Sequence, residues 1–178
     1  MSKKSNFIFK ALHVVAWIIF VGLSIEAGGL VVNFIFSIFK PEVVQNLYQK
    51  LNLSELHNRS LFAFFGMYSF ILVISISKAH LFYMVIELVG KLDLSKPFST
   101  YVARQVTKIS YYTFSIGIIS YLARETTQHL VHRGFEIDKL NLFWADSQAY
   151  ILMSAVIYVI ASIFSKGVEL QNENDLTV

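Results

Sequence analysis

The residues with the most chemical potential lie where a charge is expensive. Glu26 sits inside a long apolar stretch from Ala11 to Phe39. An ionisable group in a membrane span normally faces a partner or a wet cavity. Glu26 lies sixteen residues beyond Lys10, and Arg124 lies sixteen residues beyond Lys108. At a helical rise of about 1.5 Å per residue, each offset is about 24 Å. The two residues therefore reach similar depth on helices running in the same direction, which predicts an intramembrane Glu26–Arg124 pair. The alternative role for Glu26 is a proton or ion carrier in a small transporter or channel subunit. Lys78 and His80 fall near the inner end of a second apolar stretch, where Lys78 is expected to snorkel towards the phosphate level. His13, at a similar inner depth, reads as a helix-contact histidine.

A second group recurs at helical spacing. Glu125, His129, His132 and Glu136 follow an i, i+4, i+7, i+11 pattern. Histidines so placed can bind zinc, but no fixed motif such as H-E-x-x-H is present. Gly134 interrupts before Glu136, so the group reads as a solvated loop face. The chain has no cysteine, which excludes thiolate metal sites and disulfides. It has no nucleophile elbow, phosphate-binding glycine loop or dinucleotide fingerprint, and its carboxylates do not cluster for paired acid and base work. The expectation is a non-enzymatic protein with no catalytic residue, metal or cofactor.

The elements that carry these residues are membrane spans. Of 178 residues, 55% are hydrophobic and 15% charged, where a soluble domain carries about a quarter charged. A bilayer core of about 30 Å needs roughly 20 helical residues. Apolar stretches predict spans at about 7–39, 61–89, 106–123 and 147–165. The first is too long for a signal-peptide core of about 7–15 residues and has no small-residue cleavage site, so it is expected to remain as a span. Gly22, Gly28 and Gly29 are natural points for a bend or a close helix contact. Gly90 is expected to stop the second span, and Ser99 to cap the helix leading into the third. Val43, Val44, Leu47, Leu51 and Leu53 predict an amphipathic helix between spans one and two. The segment after Arg124 is expected to be helical up to Gly134.

These readings define an all-α integral membrane protein: a single domain formed by a four-transmembrane-helix bundle with amphipathic loop helices. With the N-terminus inside, eight Lys and Arg fall on the inner side (Lys3, Lys4, Lys10, Lys91, Lys96, Arg104, Lys108, Lys166). Six fall outside (Lys40, Lys50, Arg59, Arg124, Arg133, Lys139), with Lys78 uncounted. The excess of basic residues points to cytoplasmic termini. The net charge of +3 is too small and dispersed for a nucleic-acid surface. The bilayer is the partner implied by composition, and self-association into a homo-oligomer stays open.

The C-terminal segment 166–178 is acidic and carries the most specific pattern. From Ala161 the chain reads A-x-x-F-x-x-G-x-x-L-Q-x-E-x-D-L-T-V through Phe164, Gly167, Leu170, Gln171, Glu173, Asp175, Leu176 and Val178. This ending, with the Lys96-Pro97-Phe98-Ser99 step, resembles the bacterial "domain of unknown function 2975" family. The resemblance implies a small multi-pass protein of the bacterial inner membrane without enzymatic activity. It also implies a partner, a small helix-turn-helix regulator of the Cro/CI type that the membrane protein tethers or restrains. The residues expected to contact that partner are Lys96, Pro97, Phe98, Arg104, Glu169, Glu173, Asp175, Leu176 and Val178.

Overall fold

The computed structural model describes residues 3–45, 47, 51–92 and 98–175. They form α1 (Lys3–Phe39), a 3-10 turn (Pro41–Gln45), α2 (Ser54–Arg59), α3 (Leu61–Lys91), α4 (Thr100–His132), a second 3-10 turn (Asp138–Phe143) and α5 (Ser147–Asp175). Among the described residues there is no strand, only an isolated bridge between Leu47 and Leu51. Three segments are long and apolar enough to cross a membrane: Phe7–Phe39, Leu61–Lys91 and Leu140–Asn174.

The helix α4 has the length, 33 residues or about 50 Å, but falls short in apolar character. Its position explains the difference. It lies between α3 and α5 and buries Ser110, Thr113, Ser120 and Thr127. Thr113 and Thr127 donate their hydroxyls to the carbonyls of Ile109 and Ala123, at 2.7 and 2.8 Å. Ser110 donates across the interface to the Ser154 carbonyl at 3.0 Å. Small hydroxyl residues let membrane helices approach closely. At Gly117 a Cβ would lie 2.9 Å from the backbone nitrogen of Ile151.

The four long helices form an open row. The helix α1 packs on α3, α3 on α4, and α4 on α5. Among the described residues α1 has no comparable packing against α5. The two edge helices expose large apolar side chains, including Ile18, Ile25 and Val32 on α1 and Leu152, Val156 and Val159 on α5. Lipid can cover such surface, so closure of the row is not required. The helix α1 is also continuous, and a Cβ at Gly22 or Gly28 would meet nothing within 4 Å. Neither glycine marks a bend or a close contact.

The largest apolar core lies at the end of the row opposite the chain termini. Leu30, Phe64 and Tyr68 from α1 and α3 meet Val44, Leu51 and Leu56 from the first connection, together with Leu140 and Trp144 from the last. Water drives apolar burial where the chain leaves the lipid. Val44, Leu47, Leu51 and Leu53 of the first connection are therefore buried, but among the described residues they do not share one amphipathic helix. The Leu53 amide donates to the Val44 carbonyl (3.0 Å), and the Leu47 amide to the Leu51 carbonyl (2.9 Å). The Asn52 Oδ1 accepts from the Ser54 amide (2.9 Å), and among the described residues of this connection only Ser54–Arg59 is α-helix.

Arg59 locks this cap. It donates to Glu55 Oε1 at 2.8 Å and to the Gly134 carbonyl at 2.6 Å. Its guanidinium lies 4.1 Å from the Phe135 ring centroid. Glu55 also accepts from the Glu136 amide at 2.9 Å. The Arg59 hydrogen bond, followed by that from the Glu136 amide, holds the Glu55 carboxyl below its ordinary value of 4.5. Gly134, at φ +81°, turns the chain out of α4 as the sequence predicts.

Candidate functional site

The site begins with local cap chemistry at the opposite end of the row. Ser99 has extended backbone, φ −124° and ψ 147°, and its Oγ accepts from the Val102 amide at 3.3 Å. This is the predicted N-cap. It leaves Phe98 outside α4, with its ring free to reach α5. A Cβ on Gly167 would lie 2.5 Å from Phe98 Cδ1. The Phe98 and Phe164 rings lie 5.5 Å apart. Ala161 is buried one turn further in, beside Val102 and Val106.

The A-x-x-F-x-x-G run and Phe98 thus meet in one contact. Residues 161, 164 and 167 follow one face of α5, and that face turns towards α4 and Phe98. The opposite side stays exposed and carries Glu169 and Glu173. The acidic segment is not a separate tail. The helix continues without interruption to Asp175.

The expected contact residues divide as follows. Phe98 is brought onto α5. Glu169 pairs with Lys166 at 2.7 Å, one turn away on its own helix, rather than with Arg104. Arg104 lies instead in a groove beside α3. Asp175 is the last helical residue. Lys96, Pro97, Leu176 and Val178 lie outside the described residues.

The structure does not bring Glu26 and Arg124 together. The three ion pairs among the described residues are Arg59–Glu55, Lys91–Glu87 and Lys166–Glu169. The charge near Glu26 is Lys78, within electrostatic range on α3. The depth match fails as well: Phe20 meets Tyr83 and Tyr68 donates to the Leu30 carbonyl, while His80 meets Tyr112 and Gln105 donates to Glu87, which sets Glu26 well short of the level of Arg124, and α1 packs chiefly on α3.

Lys78 also departs from its expected inward snorkel. Its ammonium donates to the Phe143 carbonyl at 3.4 Å and lies 5.7 Å from the Tyr150 ring centroid, with Asp146 nearby. The connection after α4 folds back to α3, which brings a carbonyl and a carboxylate to the lysine. Sequence reading missed this cluster because no local pattern signals the fold-back. Beside it, a cavity of about 390 Å³ runs between α3, α4 and α5, with Thr113, Asp146 and Tyr150 among apolar walls. His13 makes the expected helix contact. It accepts from Trp17 Nε1 at 3.0 Å and packs against Gly90, which lies within α3 and does not end it. Among the described residues no group of three or more metal-ligating side chains is arranged to hold an ion.

The profile of a protein family of unknown function, DUF2975, matches residues 52–178. The chain belongs to that family. No curated protein and no solved structure matches the chain. The DUF2975 match starts after α1 and the first 3-10 turn. It contains the Phe98–Phe164–Gly167 contact, Arg104 and the acidic end of α5, whereas Glu26 falls outside it. As a DUF2975 protein with membrane-crossing helices, this chain carries its family signature on α2 to α5.

Proposed function

We propose that this protein is a non-enzymatic, four-span protein of the bacterial inner membrane whose α5 extension docks a small helix-turn-helix regulator. In this reading α4 is the fourth span, since it lies inside the row and the hydroxyls of Ser110, Thr113 and Thr127 are satisfied by helix carbonyls. Both termini are then cytoplasmic.

One observation carries the reading. The segment Ser147–Ser165 is already near the roughly 20 residues a span requires, yet the helix runs on to Asp175. Those ten further residues extend about 15 Å beyond it. Phe98, seated on Gly167, fixes the base of this arm. Glu169, paired with Lys166, and Glu173 give its exposed side an acidic character that a basic DNA-binding protein would complement. Electrostatic complementarity of this kind steers encounter and orients the partner. Glu26 is assigned a structural role, with Lys78 on the neighbouring α3 as the cation within electrostatic range.

The test is deletion of Gln171–Val178. Membrane insertion should be unchanged, because the span ends earlier. Co-purification of the regulator in mild detergent should be lost and its target genes derepressed. Retention of the regulator at unchanged affinity by a normally inserted truncation would refute the docking role. Reporter fusions at Ser5, Gly90 and Val178 should all report the cytoplasm, and those at Lys50 and Gly134 the outside.

A further inference from the structure

On the face of α3 and α4 away from the cavity beside Lys78, two adjoining cavities form a groove. The part nearer the termini is about 370 Å³ and the deeper part about 440 Å³. They share Glu87, Gln105 and Lys108. Each volume falls within the roughly 300–1,000 Å³ of ligand pockets.

The chemistry changes along the groove. At its shallow end Lys91 donates to Glu87 Oε1 at 2.7 Å. Gln105 donates to Glu87 Oε2 at 3.1 Å and to the Tyr101 hydroxyl at 3.3 Å. The carboxylate of Glu87 is therefore already compensated. Arg104 and Lys108 line the same space and have no carboxylate within 4.0 Å among the described residues. Deeper in, the walls become aromatic and apolar, with Tyr83, Met84 and Tyr112. His80 lines the same part, its ring 4.9 Å from that of Tyr112 and tilted by 42°.

Depth matches this gradient. Arg104 and Lys108 lie four and eight residues past the start of α4 at Thr100, about 6 and 12 Å along the helix. That is headgroup level for a helix entering the bilayer there. The tyrosines follow at the level where aromatic belts meet acyl chains. Cationic pockets between membrane helices at this level suit anionic lipid headgroups.

We propose that the α3–α4 groove binds one anionic phospholipid. Arg104 and Lys108 hold its phosphate, and one acyl chain lies along Met84, Tyr83 and Tyr112. Arg104 supplies the planar fork that can hold two phosphate oxygens at once, and Lys108 a point charge. A zwitterionic lipid brings its own cation to the same place and is repelled by both. The proposal is independent of regulator docking.

The test uses the full chain in neutral detergent, titrated with phosphatidylglycerol or phosphatidylcholine and read by native mass spectrometry. The expected result is retention of one phosphatidylglycerol with about ten-fold preference over phosphatidylcholine. Arg104→Gln and Lys108→Gln should each remove most of that preference. Lys108→Arg should keep it, which separates lost charge from lost folding. Lys10→Gln, an exposed cation near the same end of α1, should leave it unchanged. Inorganic phosphate at tens of millimolar should not displace the lipid. Equal retention of the two lipids would overturn the proposal. So would an equal loss from Lys10→Gln, which indicates diffuse surface attraction, or displacement by phosphate, which indicates a free-anion site.

Discussion

Replacing Gly167 with alanine should have opposite effects depending on what stands at position 98. In the wild-type chain the new methyl would sit 2.5, 2.8 and 3.0 Å from three atoms of the Phe98 ring. The ring must leave its seat. Full burial of a phenylalanine is worth about 1.5–3 kcal/mol, and Phe98 is 42% exposed, so roughly half of that is at stake. Loss of the contact with Phe164 adds about 0.5–1.5 kcal/mol. Against this, alanine is better than glycine inside a helix by about 0.5–1 kcal/mol. The net expected loss is about 1–2 kcal/mol in the docking of the segment before α4. In a Phe98→Ala background the methyl meets no ring, and only the helix term remains. Gly167→Ala should then stabilise by about 0.5–1 kcal/mol. Thermal unfolding in detergent, with hydrogen exchange over residues 98–104 and 164–171, measures both signs. Destabilisation of equal size in both backgrounds would refute the seat and place the strain elsewhere on α5.

Gly117→Ala should cost more than Gly167→Ala, about 1–3 kcal/mol, because the obstacle is the Ile151 backbone rather than a ring that can swing away. Melting of the two variants side by side gives the order. Glu26→Gln and Lys78→Gln should be non-additive by at least about 0.5 kcal/mol, while Glu26→Gln with Arg124→Gln should be additive; double-mutant cycles in detergent decide between the two partners. The Glu55 carboxyl is depressed by Arg59, so its contribution to the cap is fully present above the ordinary glutamate value of 4.5. It is lost as pH falls below that value through the depressed folded one. Amide exchange over 133–137, followed from pH 6 downward, should rise with acid in the wild type and be raised at all pH values in Glu55→Gln.

Local chemistry was legible in the sequence wherever it depended on near neighbours. Long apolar runs are enough to identify helices that lipid can surround, because a helix satisfies its own backbone without help from the rest of the chain. The Ser99 cap and the Gly134 exit follow from residues within one turn. The face formed by Ala161, Phe164 and Gly167 was visible as a pattern, though its meaning waited for Phe98 to arrive from another segment.

Azimuth and neighbour choice were not readable. An apolar edge helix carries no stripe that says which side meets protein, because lipid is an equally good neighbour for most of its surface. Glu26 and Arg124 were matched by counting from basic residues that do not stand level, and they failed to meet, while the packing of α1 on α3 put Lys78 within electrostatic range of Glu26. Lys78 gained its carbonyl, ring and second carboxylate from a connection more than sixty residues away. The polar character of α4 likewise made sense only once its place inside the row was known. Its hydroxyls serve an interface that has to exist before they can be explained.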